Sequence, residues 1–153
     1  MNTRETKVAL VDDHELLRNG LAGIINKFDG YRVVFEAGNG EEFINQLSRN
    51  ESPDIILLDI SMPKMDGYET AKWISKNLPE GRILVLSMLD HETAVIRMIQ
   101  AGARGYIVKD CKPAVLKEAF DHICTTGYYS NDLVSSRYIH LISEGKTDQI
   151  TTT

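Results

Sequence analysis

Apolar residues along this chain follow two alternating patterns, short continuous runs and longer stretches with helical spacing. The strand-like runs lie at 7–11, 31–37, 54–59, 82–87 and 105–109. Apolar residues recur every three or four positions in the helical stretches, at 14–28, 41–50, 67–78, 91–101 and 114–126. Strand and helix in strict alternation predict repeated βαβ units, and therefore a parallel sheet with helices on both faces.

The five runs differ in how apolar they are, which indicates where each lies in the sheet. Three are nearly all apolar, as strands buried on both faces must be: 7–11, 55–58 and 83–86. The run at 31–37 instead alternates, with Tyr31, Val33 and Phe35 set against Arg32 and Glu36. We therefore expect it at an edge of the sheet. The predicted fold class is α/β, a doubly wound, five-stranded parallel sheet of flavodoxin-like type with strand order 2-1-3-4-5.

The pattern changes after Gly127. A short apolar stripe predicts an extra helix at about 131–144, and the polar residues at 145–153 indicate a linker or tail. We therefore divide the chain into a domain at 1–127 and a segment at 128–153 that contains the extra helix and the linker.

Composition and charge exclude several function classes. The chain has 153 residues, of which 42% are apolar and 25% charged, an ordinary composition for one globular domain. Its net charge of −5 argues against a nucleic-acid-binding surface, which needs concentrated Lys and Arg. The polar N-terminus and the lack of a long apolar run predict a cytoplasmic protein with no membrane contact. Cys111 and Cys124 lack CxxC spacing and are interpreted as reduced thiols, with a disulfide or a zinc site as the alternative.

Polar side chains stand where several predicted strands end. Ligands bind beyond the carboxyl ends of the strands in an open parallel sheet, so these residues should meet at one edge. They are Asp12, Asp13, Asp59, Ser87 and Lys109.

Each of these residues also has an ordinary explanation when taken singly. Asp12 and Asp13 could cap the helix that starts near His14, and a strand can simply end in a solvated polar residue. Together, however, three crowded carboxylates repel each other unless a cation lies among them, and their oxygens suit Mg²⁺. A lysine and a hydroxyl could then bind the remaining oxygens of a phosphoryl group.

Four motifs in this order resemble the receiver domain of bacterial two-component response regulators. They are VDDH at 11–14, LLDISMPKMDGYE at 57–69, LS at 86–87 and GARGYIVKD at 102–110. The resemblance covers about 1–127. The last motif and the extra helix are similar to the LuxR/FixJ (NarL-like) subgroup, whose members carry a helix-turn-helix output domain. The chain stops at Thr153 before any basic recognition helix, so we expect that output domain to be absent, with a receiver that works alone as the alternative.

The resemblance implies a phosphoryl acceptor and a metal site. Asp59 would take a phosphoryl group from the phosphohistidine of a sensor histidine kinase. Asp13 and Asp59 would hold Mg²⁺ with their carboxylates. The backbone carbonyl of Ser61 would complete the metal site together with Asp12, which would act through a water molecule.

The resemblance also implies a conformational switch. Ser87 would donate a hydrogen bond to the phosphoryl group, and Lys109 would pair with it. Tyr106 would turn inward when Ser87 is drawn toward the phosphate; without the resemblance, Tyr106 reads as a half-buried edge aromatic. A homodimer could form on phosphorylation, through the first and last helices or through the face at 91–109. DNA would be contacted only through the output domain.

Residues that follow the strands argue against two other functions. A phosphatase of the haloacid-dehalogenase type needs a second Asp two residues after its nucleophile, where this chain has Ser61. A flavin carrier is disfavoured because Asp12 and Asp13 would repel its phosphate.

Asp110 follows Lys109 where many receivers have proline, so no cis peptide is favoured there. Pro63 and the Asp66-Gly67 pair fit a tight loop after Asp59, in which Gly67 would tolerate a positive φ.

Overall fold

A computed structural model describes residues 5–87 and 92–129 of the chain. Within these residues the strands are β1 (Thr6–Val11), β2 (Tyr31–Ala37), β3 (Ile55–Asp59), β4 (Arg82–Ser87) and β5 (Ala103–Val108). The helices are α1 (Glu15–Asn26), α2 (Gly40–Leu47), α3 (Gly67–Asn77), α4 (Glu92–Gln100) and α5 (Pro113–Thr126). The extra helix predicted at 131–144 lies outside the described residues. None of the described helices is long and apolar enough to span a bilayer.

All strand pairs are parallel, and the sheet order is β2-β1-β3-β4-β5. The predicted fold class, strand order and edge position of β2 are therefore confirmed. Parallel strands joined by helical crossovers place every carboxyl end at the same edge of the sheet. This edge collects the residues that follow β1, β3, β4 and β5.

Two hydrophobic clusters cover the two faces of the sheet. Successive residues of a strand point to opposite faces, so in β3 the side chains of Ile56 and Leu58 enter one cluster and those of Ile55 and Leu57 the other. The first cluster also contains buried residues of α2, α3 and α4, and the second contains those of α1 and α5. The sheet is thus buried on both faces, which explains the nearly continuous apolar runs.

A bulge in β2 overturns the prediction that Tyr31, Val33 and Phe35 share one face. Tyr31 and Val33 pack with α1 and α5, but Phe35 packs in the cluster on the opposite face. Val8 pairs with Val33 and the next residue, Ala9, with Phe35, so β2 carries one extra residue at this point. One extra residue reverses the direction of every later side chain on a strand.

The loop after Asp59 is compact because α3 begins against the end of β3. The Gly67 N–H donates to the Ile60 carbonyl at 2.7 Å. A Cβ at Gly67 would lie 2.2 Å from the Asp59 carbonyl oxygen, so only glycine fits this approach. Gly67 does not adopt a positive φ: among the described glycines it occurs at Gly30, Gly102 and Gly127, and in this loop Lys64 adopts it.

Candidate functional site: an acidic pocket at the carboxyl edge of the sheet

Three buried charged residues meet at the carboxyl edge of the sheet. Asp12 follows β1, Asp59 ends β3 and Lys109 follows β5, and each is at most 7% exposed. Lys109 Nζ lies 3.1 Å from Asp12 Oδ2 and 3.3 Å from Asp59 Oδ2. The lysine therefore bridges two carboxylates that come from different strands, and we call this arrangement the acidic pocket.

Asp13 lies at the rim of the acidic pocket, with about a third of its side chain exposed. Its carboxylate oxygen lies within 4.8 Å of ligand atoms from Asp12, His14 and Asp59. Asp12 also shapes the turn into α1, because its Oδ1 accepts the backbone N–H of His14 at 2.9 Å. The N-cap residue of α1 is His14 and it has no side-chain capping hydrogen bond, so the interpretation of Asp12 and Asp13 as helix caps is wrong.

Ser87 is the last residue of β4 and is buried. Asp59 pairs in register with Leu86, so Ser87 stands one residue beyond that partner, at the same edge. The Lys109 N–H donates to the Ser87 carbonyl at 2.7 Å, which fixes the backbones of these two residues to each other. The structure therefore brings Ser87 to the pocket edge, while the role of its hydroxyl stays a prediction.

Tyr106 is 2% exposed, so its interpretation as a half-buried edge aromatic is wrong. It lies on the edge strand β5, but its ring belongs to the cluster that contains Val95 and Met98 of α4. Ser61 lies in the exposed loop two residues after Asp59. The metal-binding role of the Ser61 carbonyl and the switch role of Tyr106 remain predictions.

The pKa of Asp59 is raised from an ordinary value of 3.8 to about 6, and burial is the largest cause. The negative charges of Asp12 and Asp13 also raise this pKa, while the nearby Lys109 ammonium lowers it. The causes that raise the pKa outweigh the one that lowers it, so the charge of Lys109 does not compensate for burial and for the neighbouring carboxylates. A bound cation would reduce the repulsion between the ionised carboxylates of the pocket.

The residues present fit a magnesium ion. The Oδ2 atoms of Asp12 and Asp59 are buried and accept no hydrogen bond from any described group. Lys109 stands at ion-pair distance from both atoms but does not satisfy hydrogen-bond geometry to them. Buried acceptors without a donor are costly, and carboxylate oxygens are the ligands that Mg²⁺ prefers. The donor set of the acidic pocket is therefore suited to this ion.

His14 belongs to the pocket, although the sequence reasoning treated it only as the start of a helix. Its Nδ1 lies 2.8 Å from Lys109 Nζ, 3.0 Å from Asp12 Oδ1 and 3.5 Å from Asp13 Oδ1. The sequence could have indicated His14 as a pocket residue, because it follows Asp12 and Asp13, two predicted metal-binding residues, and imidazole is itself a common metal ligand.

Arg18 is a second residue that the sequence reasoning missed. Its Nη1 donates to the Asp12 backbone carbonyl at 2.7 Å, and its Nε donates to Glu36 Oε1 at 2.9 Å. Arg18 thereby holds the loop after β1 against the end of β2. No local pattern could reveal this, since Glu36 reaches Arg18 only through the pairing of the strands.

Comparison with known proteins decides the family. The family model of the response regulator receiver domain matches residues 8–121. This chain belongs to that family. The receiver resemblance is thereby confirmed, and receiver domains act as signalling switches of two-component systems rather than as turnover enzymes.

The relatives include nitrate and transcription regulators. The chain is 40% identical over 118 residues to the nitrate/nitrite response regulator protein NarL of Escherichia coli K12, covering 77% of this chain and 54% of NarL. It is 41% identical over 119 residues to the uncharacterized transcriptional regulatory protein YxjL of Bacillus subtilis, covering 78% of this chain and 54% of YxjL. The chain thus spans about half the length of these relatives.

Solved structures agree with this assignment. A LuxR-family two-component response regulator from Aurantimonas is 29% identical with a TM-score of 0.77, over 88% of this chain and 99% of that one. The signal receiver domain of the putative response regulator NarL from Mycobacterium tuberculosis is 30% identical with a TM-score of 0.70, over 77% and 95%. The subgroup expectation, LuxR and NarL-like, is therefore confirmed, and the family favours a switch over a phosphatase.

Proposed function

We propose that this receiver domain takes a phosphoryl group from the phosphohistidine of a sensor histidine kinase onto Asp59, with Mg²⁺ as cofactor. The observation that carries the proposal is the Asp59 carboxylate, buried at the end of β3, with an Oδ2 atom that accepts no hydrogen bond from the described residues. The Asp59 carboxylate lies beside one ammonium group and two further carboxylates. Such a site is suited to accept a phosphoryl group together with a bound Mg²⁺ ion.

The transfer needs positioning and charge neutralisation more than covalent machinery. An Asp59 oxygen attacks phosphorus, the new O–P bond forms, and the P–N bond to the donor imidazole breaks with the electron pair leaving on nitrogen. Lys109 Nζ lies 3.3 Å from Asp59 Oδ2 and would neutralise a phosphoryl oxygen, and the Ser87 hydroxyl would donate to another.

The metal would be held by the acidic residues of the pocket. Asp13 and Asp59 would supply carboxylate oxygens, Ser61 its backbone carbonyl, and Asp12 a contact through water. When bound, Mg²⁺ supplies positive charge to the phosphoryl oxygens. The protein residues orient Asp59, and its carboxylate is still ionised at neutral pH because its pKa of about 6 lies below that pH.

Loss of the phosphoryl group should be slow. Fast hydrolysis of an aspartyl phosphate uses a nearby carboxyl group as acid and base, and the residue two positions after Asp59 is Ser61. The modified state would therefore persist long enough to signal, and the domain would act as a switch.

The signal would pass to transcription. The relatives include response regulators and transcriptional regulatory proteins that are longer than this chain. We therefore infer that this receiver controls a helix-turn-helix output domain in the cytoplasm, with Tyr106 as the switch aromatic and a homodimer as the signalling form. A receiver that acts alone through protein contacts is the alternative.

Intact-mass measurement with a small-molecule phosphodonor tests the phosphorylation step. With Mg²⁺ present we expect the mass to rise by one phosphoryl group in the unmodified sequence and in Asp29→Asn, which changes an exposed carboxyl outside the pocket. We expect no addition in Asp59→Asn or after chelation of Mg²⁺. Labelling that survives Asp59→Asn, or that ignores chelation, would contradict the proposal.

A further inference from the structure

His14 places an imidazole nitrogen among the carboxylates of the acidic pocket. The residue stands at the N-cap of α1, where its side chain makes no capping hydrogen bond to the helix. Its Nδ1 instead faces Asp12 Oδ1 at 3.0 Å and Asp13 Oδ1 at 3.5 Å. The imidazole thus contributes to the pocket and not to the end of the helix.

The donor atoms are close enough to surround one ion. One atom each from Asp12, Asp13, His14 and Asp59 lies within 4.8 Å of all the others. Ligands at about 2.0–2.2 Å from a tetrahedral Zn²⁺ lie about 3.3–3.6 Å apart, so the widest of these separations must close by about an ångström. Independently of this clustering, the buried Oδ2 atoms of Asp12 and Asp59 accept no hydrogen bond from the described residues.

The mixed donor set discriminates between classes of cation. Mg²⁺ takes oxygen ligands and gains little from an imidazole, whereas Zn²⁺ and its first-row neighbours bind imidazole nitrogen well. We propose that the acidic pocket also binds a transition-metal divalent cation of the Zn²⁺ type, with His14 Nδ1 as a ligand beside the carboxylates. His14 therefore sets the preference between this class and Mg²⁺.

Lys109 is the competitor that such an ion must displace. Its Nζ lies 2.8 Å from His14 Nδ1 and 3.3 Å from Asp59 Oδ2, so it contacts the same donor atoms. An ion bound through His14 would move the ammonium away from Asp59. Because the proposed function uses Lys109 at the phosphoryl group, and this consequence rests on that function, Zn²⁺ would oppose phosphorylation where Mg²⁺ supports it.

Calorimetric titration with Zn²⁺ alone and with Mg²⁺ alone tests the selectivity without a phosphodonor. We expect His14→Gln to lower the ratio of Zn²⁺ affinity to Mg²⁺ affinity by about tenfold or more, because it removes the nitrogen that only one class uses. His122→Gln is the matched control, since His122 is exposed on α5 and lies outside the pocket. An unchanged ratio in His14→Gln, or an equal fall in His122→Gln, would overturn the proposal.

Pulsed electron paramagnetic resonance with Cu²⁺, a paramagnetic ion that binds imidazole as Zn²⁺ does, reports the ligand directly. We expect imidazole nitrogen coupling in the unmodified chain and in His122→Gln, and its loss in His14→Gln. Absence of nitrogen coupling in the unmodified chain, or its persistence in His14→Gln, would refute His14 as a ligand. Neither measurement involves phosphorylation, so their failure would leave the phosphoacceptor proposal standing, and a chain that fails to phosphorylate could still show both signals.

Discussion

At the scale of single residues, burial and charge oppose each other at Asp59. Its pKa is 3.8 in an ordinary environment and about 6 in the folded chain, chiefly because of burial. The folded state therefore binds this proton more tightly than the unfolded state does. The contribution of Asp59 to the free energy of unfolding therefore falls as pH rises from about 4 to about 6, and the cost of its buried charge is fully present above pH 6.

We therefore expect Asp59→Asn to raise the free energy of unfolding at pH 7.5 by about 1–3 kcal/mol, because the amide removes a buried charge that is costly to ionise. The fall in stability between pH 4 and 6 should also be smaller in this variant. Urea denaturation at several pH values measures both effects, with Asp29→Asn as the exposed control. A variant that is less stable than the unmodified chain at pH 7.5 would contradict this explanation of the Asp59 pKa.

Gly67 offers a second test at the residue scale. A Cβ here would lie 2.2 Å from the Asp59 carbonyl oxygen and 2.7 Å from the Ile60 Cα, and neither backbone atom can move freely. We expect Gly67→Ala to lower the free energy of unfolding by about 2–4 kcal/mol, since overpacking against rigid atoms is costly.

Gly20→Ala is the matched control, because Gly20 occupies an exposed position of α1 and a Cβ added there would have no atom within 4 Å. It should stabilise the chain by about 0.5–1 kcal/mol through helix propensity. Thermal or urea unfolding compares the two variants. Equal effects of the two alanines would show that the close approach at Gly67 is unimportant.

At the scale of elements, an arginine at the start of β4 contacts the C-terminal end of α5. Arg82 at the start of β4 donates through Nη1 to the Ile123 carbonyl at 2.7 Å, near the C-terminal end of α5. The Ile123 carbonyl also accepts the Gly127 N–H at 2.9 Å, so Arg82 donates a second hydrogen bond to it. The last turn of a helix carries partial negative charge, which the guanidinium stabilises. The amino-terminal edge of the sheet thus anchors α5.

We expect Arg82→Met to lower the free energy of unfolding by about 1–2 kcal/mol, because a charged hydrogen bond to a helix end is lost. Arg49→Met, at an exposed position after α2, should change it by less than about 0.5 kcal/mol. Hydrogen exchange of the α5 amides measures the local effect. Unchanged protection of α5 in Arg82→Met would rule out the anchoring role.

At the scale of the whole molecule, the acidic pocket couples global stability to its ligands. A cation that binds only the folded chain stabilises it by mass action, about 2.7 kcal/mol at a concentration a hundred times its dissociation constant. We expect Mg²⁺ to raise the Tm of the unmodified chain, a chelator to reverse this, and Asp59→Asn to show a much smaller rise. Equal rises in both proteins would place Mg²⁺ elsewhere.

Self-association is the second global property that should respond. Tyr106 and the α4 residues Val95 and Met98 share one cluster, and Ser87 lies on the neighbouring strand at the pocket edge. Phosphorylation should therefore shift the face formed by α4 and β5 and change the oligomeric state. Sedimentation velocity with and without phosphodonor measures this change, with Asp59→Asn as the control. An identical sedimentation profile for the fully phosphorylated chain would disprove the switch.

Much of the fold and part of the site could be predicted because they depend on local periodicity. Strand-length apolar runs alternating with helical patterns require parallel βαβ units, and these bring the carboxyl ends of the strands to one edge. Asp12, Asp59 and Lys109 were therefore expected near each other from strand order alone, and the structure joins them within 3.3 Å.

Only the tertiary structure decided the features that depend on contacts between distant segments. The bulge in β2 reverses the direction of Phe35, and α4 covers Tyr106 on an edge strand. His14 becomes a pocket residue only because β5 brings Lys109 to within 2.8 Å of it. The sequence determined which side chains end the strands, because periodicity is local. Packing determined which atoms those side chains meet, because register and close approach involve residues far apart in the chain.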